Sequence, residues 1–173
     1  MRVFAALELP KDSLRMIAEW QRPLISRYPS LKWVSVDNMH ITLRFYGDID
    51  GDILDRVRVT MAEWRPGPLE FSLCEAGSFG RKGSPSVYWL GGVFPVEVME
   101  QARRLGAIPD GKGAVSARRF RPHLTVARRR GGLPVSLTGP AEGIRGVITR
   151  AALVDSRLTS GGPEYTFLER YEL

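Results

Sequence analysis

The chain's two histidines are the residues whose type and spacing most clearly predict chemistry. His40 opens the run His-Ile-Thr-Leu, and His123 opens the run His-Leu-Thr-Val. Threonine occupies only seven of the 173 positions, so chance rarely places it two residues after both histidines. One such histidine is usually a core residue with a hydroxyl neighbour. The repeat instead predicts a paired site.

Each motif is predicted to present its histidine and threonine on one face of a strand. Side chains two apart share a face, so His40 lies beside Thr42 and His123 beside Thr125. Two imidazoles that titrate near neutral pH can serve as one general base and one general acid. The hydroxyls and a nearby arginine can hold an oxyanion. This set fits a phosphodiester, where one histidine activates the attacking water or hydroxyl and the other protonates the leaving oxygen.

The charge balance also favours a phosphate-bearing partner. Lys and Arg number 25 against 19 Asp and Glu, which gives a net charge of +6. Six arginines fall in one stretch without an acidic residue between them: Arg118, Arg119, Arg121, Arg128, Arg129 and Arg130. The guanidinium fork matches phosphate oxygens and stays charged. A purely solvated basic surface is the alternative interpretation.

Several classes of protein are disfavoured by composition. The single cysteine, Cys74, has no internal disulfide partner, and two histidines with one cysteine are too few for the usual zinc site. Apolar runs are shorter than the ~18 residues that span a bilayer, and Glu8 interrupts the first one before a signal-peptide core develops. Neither a nucleophile elbow nor a phosphate-binding P-loop is present. We therefore expect no metal, no membrane segment and a cytoplasmic location.

The elements that position the motifs are predicted as about eight strands and three helices in mixed order. The expected strands are Val3–Leu9, Leu31–Val36, His40–Tyr46, Leu69–Cys74, Val87–Gly91, His123–Ala127, Val147–Val154 and Tyr165–Leu173. Helices are expected near 12–28, near 52–64 and from Pro95 to Leu105. Gly77–Ser86 and Ile108–Ala117 read as loops. This order favours an α+β fold with antiparallel sheets, in one domain over residues 1–173.

The residues around the motifs resemble the two-histidine (2H) phosphoesterase superfamily, and within it the RNA 2′,3′-cyclic phosphodiesterase or 2′-5′ RNA ligase branch. The resemblance is carried by Arg2–Pro10, Trp33-Val34, Asn38–Gly47, Phe120–Arg128 and Gly162–Tyr165. It spans the whole chain in order. One departure is Tyr46, where the family usually has leucine, and we expect it to be a substitution in the core or at a sheet edge.

The resemblance implies a bilobal α+β fold in which two antiparallel sheets, related by a pseudo-twofold axis, form a central cleft with helices outside. It implies hydrolysis of RNA 2′,3′-cyclic phosphate ends to 2′-phosphate without metal or cofactor, and in some members 2′-5′ ligation. By position, His40 and His123 are the acid–base pair, while Thr42, Thr125 and Arg128 bind the phosphate. We favour His123 as the base for water and His40 as the acid. The expected partner is RNA with cyclic phosphate ends, tRNA fragments among them, bound by a monomer.

Some assignments stay open at this level. Arg118, Arg119, Arg121, Arg129 and Arg130 either follow the RNA backbone or are solvated. Core packing is the default for Trp33, Phe45, Tyr88 and Trp89, although any that faces the cleft could stack a terminal base. Two alternative functions remain: a basic RNA-binding module whose histidines are structural, and a 2H phosphodiesterase for a small nucleotide.

Overall fold

The computed structural model describes residues 1–81, 83–116, 119–129, 131, 133–160 and 162–173. Within these ranges the helices are α1 (Lys11–Arg27), α2 (Gly51–Ala62) and α3 (Val96–Gly106), with a 3-10 turn at Val36–Asn38. The strands are β1 (Arg2–Glu8), β2 (Leu31–Trp33), β3 (His40–Asp48), β4 (Leu69–Arg81), β5 (Ser84–Val93), β6 (Leu124–Arg129), β7 (Ile144–Ile148), β8 (Arg150–Thr159) and β9 (Gly162–Glu172).

The strands form one antiparallel sheet in the order β7-β4-β5-β6-β3-β1-β8-β9, with β2 added to β6. The prediction of an α+β fold with antiparallel pairing is confirmed, but the prediction of two separate sheets is wrong. Strands β3 and β6 join the halves through one residue pair, Ile41 with Leu124. We call β3-β1-β8-β9 the first half and β6-β5-β4-β7 the second half.

All three helices pack on the same face of this sheet. Ile17 of α1, Val57 of α2 and Leu105 of α3 share one buried core with Ile41 and Leu124. A second, smaller cluster contains no helical residue: Phe4, Ala6, Ala152 and Val154, with Tyr165 packed against them. We call the side of the sheet that carries this second cluster the open face.

Helices α1 and α3 each follow a strand of one half in the chain and pack against a strand of the other half. Helix α1 follows β1, but its Ser13 hydroxyl donates to the Arg145 carbonyl of β7 over 2.9 Å. Helix α3 follows β5, and its Leu105 carbonyl accepts a 3.0 Å hydrogen bond from the Tyr46 hydroxyl of β3. Tyr46, which stands where the family usually has leucine, is buried in the core, one of the two places expected for it. The crossed helices hold together the halves that a single strand pair joins.

Two predicted boundaries are wrong. The glycine-rich segment Gly77–Ser86, expected as a loop, belongs largely to a long β4–β5 hairpin, because glycine allows the close strand approach seen at Gly80. The run Val147–Val154, expected as one strand, is divided at Thr149 into β7 and β8, which pair with β4 and β1 respectively. A β-branched run carries no glycine or proline to mark such a break. No helix in the described ranges is long and apolar enough to span a membrane.

Candidate active site

The two His-x-Thr motifs meet where the halves of the sheet join. Ile41 and Leu124, the paired residues of β3 and β6, directly follow His40 and His123. Both aliphatic side chains are fully buried in the helix-covered core. Since neighbouring residues on a strand point to opposite faces, the two histidines are directed to the open face. The antiparallel register relates the motifs by an approximate twofold axis through this pair.

Each imidazole is held in the same way by its own chain. His40 Nδ1 lies 2.9 Å from the Asn38 carbonyl oxygen, and His123 Nδ1 lies 2.8 Å from the Arg121 carbonyl oxygen. A carbonyl can only accept, so Nδ1 carries the proton in both rings. In the neutral form Nε2 then has the free lone pair. Each histidine therefore presents Nε2 as its reactive nitrogen.

A β-bulge brings Arg128 to the histidine face. In a regular strand, Arg128 would point away from Thr125, because the two are three residues apart. The β5–β6 register shifts between Tyr88 and Trp89, so β6 carries one extra residue, Val126. Val126 and Ala127 are consequently both buried, and Arg128 emerges exposed on the open face. With the spacing His-x-Thr-x-x-Arg, the arginine shares a face with the histidine and threonine only because β6 contains this bulge.

Strand β3 of the first half contains a matching bulge, which is followed by a phenylalanine where β6 has Arg128. The β1–β3 register shifts between Ala5 and Ala6, which leaves Leu43 as the extra residue of β3. Phe45 thereby returns to the open face, at the position that Arg128 holds in the second half. Its ring is 41% exposed and lies under the Arg2 guanidinium at 4.8 Å. The two symmetry-related positions are thus occupied by the Arg128 guanidinium in the second half and by the Phe45 ring, covered by Arg2, in the first half.

His40 is enclosed by aromatic rings. Phe4 stacks on it with ring centroids 4.6 Å apart, and Tyr165 meets it edge-on at 5.4 Å. Burial lowers the pKa of His40 from 6.5 to about 4, opposed by the hydrogen bond to the Asn38 carbonyl. The charges of Arg128 and His123 lower it further, which indicates that both groups lie near His40. His40 is therefore neutral in the unliganded protein at physiological pH.

His123 has different neighbours. The Phe79 ring meets it edge-on at 4.9 Å, and the Trp89 ring lies 6.3 Å away. Arg121 covers the Trp89 ring at 4.5 Å and pairs with Glu75 at 3.0 Å. The two imidazoles are therefore held alike but lie in unlike surroundings.

The groups predicted to bind phosphate are uncommitted within the described part of the chain. Thr42 and Thr125 are half-buried, and neither hydroxyl has a hydrogen-bond partner among the described residues. Arg128 is exposed and has no ion pair with any described acid. Across the same residues, no three His, Cys, Asp or Glu side chains cluster closely enough to hold a metal ion. The arrangement can receive an anion between two imidazoles, two hydroxyls and one guanidinium.

Comparison with known proteins identifies the family of this chain. The sequence model of the family described as "LigT like Phosphoesterase" matches residues 7–89. A protein of Archaeoglobus fulgidus called RNA 2′,3′-cyclic phosphodiesterase is 32% identical, over 74% of this chain and 72% of its own length. The chain belongs to the LigT-like phosphoesterase family. A Methanothermobacter thermautotrophicus protein with the same name is 29% identical over 100% of this chain and 99% of its own.

Solved LigT-like structures share the fold over nearly the full length. A Thermus thermophilus structure aligns with a TM-score of 0.87 and 26% identity, covering 100% of this chain and 98% of that one. A structure of Escherichia coli LigT complexed with 3′-AMP aligns with a TM-score of 0.82 and 26% identity, covering 99% and 97%. The recognition of the 2H phosphoesterase superfamily from the sequence is confirmed.

The other candidate arginines are not equivalent. Arg121 is engaged with Glu75 and Trp89, and the Arg129 guanidinium donates to the Pro85 carbonyl and the Ser84 hydroxyl of β5. Arg119 is exposed. Arg118 and Arg130 lie outside the described residues. Arg129 thus ties β6 to the β4–β5 hairpin.

Sequence reasoning missed three aromatic residues that touch the histidines: Phe4, Phe79 and Tyr165. Each was seen only as part of a strand, a loop or a family motif, and nothing in its local sequence shows which ring it meets. Among the aromatics considered beforehand, Tyr88 is a core residue and Trp33 donates its indole N–H to the Tyr28 carbonyl. The Trp89 ring lies 6.3 Å from His123, and the Phe45 ring lies 6.5 Å from Phe4, the ring that stacks on His40.

Proposed function

We propose that this protein is an RNA 2′,3′-cyclic phosphodiesterase that converts a cyclic phosphate end to a 2′-phosphate. One observation carries the proposal: the paired strands β3 and β6 direct two histidines to one face, each with Nδ1 bound to a carbonyl and Nε2 free. A general base and a general acid on opposite sides of a phosphorus atom are what in-line displacement needs. Several curated relatives bear this name.

The proposed reaction needs only the two imidazoles and water. His123 Nε2 takes a proton from water as the water oxygen bonds to phosphorus. The bond between phosphorus and O3′ breaks on the opposite side, and its electron pair stays on O3′. His40 Nε2 donates a proton to O3′, which leaves a free 3′-hydroxyl and a 2′-phosphate. An RNA 5′-hydroxyl in place of water forms a 2′-5′ linkage by the same displacement, in which the bond between phosphorus and O3′ breaks and O3′ takes a proton.

Thr42, Thr125 and Arg128 are proposed to hold the non-bridging oxygens. Their hydroxyls and guanidinium are free of other partners within the described residues, so binding breaks no existing interaction. Charge accumulates on the phosphoryl oxygens in the transition state, and donors already in place stabilise it without reorganisation. The planar guanidinium of Arg128 can donate two parallel hydrogen bonds to phosphate oxygens.

This reaction needs His40 protonated and His123 neutral at its start, so the two imidazoles must share one titratable proton beyond their neutral forms. His40 has a pKa of about 4 in the free protein, so it is neutral there, and the negative phosphate must raise that pKa before His40 can act as an acid. A pH profile of kcat/KM shows in which total protonation state the two histidines are active, but it does not show which histidine carries the proton. The acid and base roles therefore need a test that depends on the leaving group.

We propose that Phe45 stacks the terminal base. It occupies the pseudo-symmetric counterpart of the Arg128 position, so a phosphate drawn toward Arg128 leaves its nucleoside on the Phe45 side. Phe45 is 41% exposed, every base offers a π-face for stacking, and a base stacked there takes the place of the Arg2 guanidinium over the ring. Phe79, at 39% exposure on the opposite half, is the matched competitor for this role.

The decisive experiment is incubation of the purified protein, in EDTA, with a short RNA ending in a 2′,3′-cyclic phosphate. We expect a 2′-phosphate product, reduced at least about 100-fold in His40→Ala and His123→Ala. Folding of both variants is checked by circular dichroism. Full activity in either folded variant would contradict the proposal. Binding of the RNA without turnover, regardless of end chemistry, supports the RNA-binding module, and competition by mononucleotides at low concentration supports a small-nucleotide substrate.

A second experiment assigns the acid. A cyclic substrate with sulfur replacing O3′ has a leaving group that needs no proton. If His40 is the acid, this substrate restores activity to His40→Ala but not to His123→Ala. The opposite pattern would exchange the two roles.

The remaining expectations stay predictions. They are a monomer, a cytoplasmic location, a single domain over residues 1–173, and tRNA fragments among the RNA substrates. The helices that cross between the halves support a single domain, since neither half keeps its core when separated.

A further inference from the structure

Tyr165, whose ring contacts His40, carries a hydroxyl that the proposed mechanism does not yet use. Tyr165 lies on β9, opposite Ser156 of β8, at the far edge of the first half. Its ring nevertheless reaches the site, with its centroid 5.4 Å from His40 and 5.3 Å from Phe4. The ring lies against the small side chains of the open-face cluster, Ala6 and Ala152 among them. Small residues there leave room for a ring that extends across the sheet.

Most tyrosine hydroxyls of this chain are used inside the protein. Those of Tyr46 and Tyr171 donate to the Leu105 carbonyl and the Glu169 carboxylate, and that of Tyr88 accepts from the Val135 amide. Tyr165 is half-buried, yet its hydroxyl has no hydrogen-bond partner among the described residues. A buried ring with an uncommitted hydroxyl usually serves a ligand or water.

The ring contact with His40 and the charge of Arg128 both relate Tyr165 to the proposed phosphate site. The Arg128 charge acts on Tyr165 as it does on His40, although Arg128 belongs to the other half. Burial raises the pKa of Tyr165 above its usual value, which keeps the phenol protonated and able to donate. Tyr165, His40 and Arg128 thus surround one region from three strands.

We propose that Tyr165 is a substrate-contacting residue whose hydroxyl donates a hydrogen bond to a non-bridging oxygen of the phosphate held between His40 and Arg128. This inference rests on the proposed function for its role in catalysis, but phosphate binding tests it separately. The donor comes from the last strand, so the site needs β9 as well as the two motif strands. A hydrogen bond to a charged oxygen that strengthens in the transition state acts on turnover and on binding.

The test uses Tyr165→Phe, which removes the hydroxyl and keeps the ring against His40. Tyr28→Phe is the matched control, because Tyr28 lies at the end of α1 and its ring contact is with Arg27. We expect Tyr165→Phe to lower kcat/KM for the cyclic phosphate RNA about tenfold, with Tyr28→Phe unchanged. The ring signals of His40 in NMR spectra should stay in place, which shows that the packing survives.

Inorganic phosphate is the second probe. Its affinity, measured from the shifts of the histidine ring signals, should fall at least fivefold in Tyr165→Phe and remain unchanged in Tyr28→Phe. Equal phosphate affinity and equal kcat/KM in Tyr165→Phe and the wild type would overturn the inference. If the wild type fails to turn over the cyclic phosphate, the proposed function fails, and the phosphate titration alone decides the role of Tyr165.

Discussion

The buried neutral His40 should make the folded protein less stable in acid, over the pH range between its pKa values in the unfolded and folded states. Its pKa is about 4 in the folded protein against 6.5 for an exposed histidine. The unfolded chain therefore takes up the proton first as the pH falls, and protonation favours unfolding. Relative to about pH 8, the His40 contribution to the free energy of unfolding falls by about 1.4 kcal/mol at about pH 5.5 and by about 3 kcal/mol at about pH 4.

The assay is urea unfolding at these pH values for the wild type, His40→Gln and His123→Gln. Glutamine does not titrate, so His40→Gln should lose about 3 kcal/mol less between about pH 8 and about pH 4 than the wild type. His123→Gln keeps the buried His40 and should retain most of the loss. Carboxylates with lowered pKa values, such as Asp110, contribute equally to all three proteins.

A parallel NMR titration measures the pKa of His40 directly. A value near 6.5, or the same acid loss in His40→Gln as in the wild type, would refute the reasoning. Phe4→Leu gives an internal check, because removing the stacked ring admits water and should move the His40 pKa toward 6.5.

Two further predictions concern the faces of the site. A methyl group at Gly77 would overlap the Trp89 ring, so Gly77→Ala should lower the free energy of unfolding by about 1–3 kcal/mol in urea titrations, whereas Gly51→Ala, with open space around its Cβ, should not. Equal stabilities would show that Trp89 can move freely. Phe45→Leu should raise KM for a cyclic phosphate dinucleotide about tenfold with little change in kcat, while Phe79→Leu should not; the reverse result would place the base on the second half.

The repeated His-x-Thr motif and the mixed order of predicted strands and helices predicted an α+β fold and two histidines paired with threonines, and the family resemblance added Arg128. Local pattern carries this information because a strand's period of two already decides that His40 and Thr42 share a face. The number of sheets was not predictable in the same way. It depends on one pair, Ile41 with Leu124, between residues far apart in the chain.

Only the tertiary structure shows how other groups reach the histidines. Arg128 reaches the site because Val126 is an extra residue relative to β5, a property of the pairing of two strands. Tyr165 and Phe4 meet His40 across the sheet, and the burial of His40 lowers its pKa to about 4. Desolvation depends on everything packed around a group, so the lowered pKa of His40 arises only when the chain is folded.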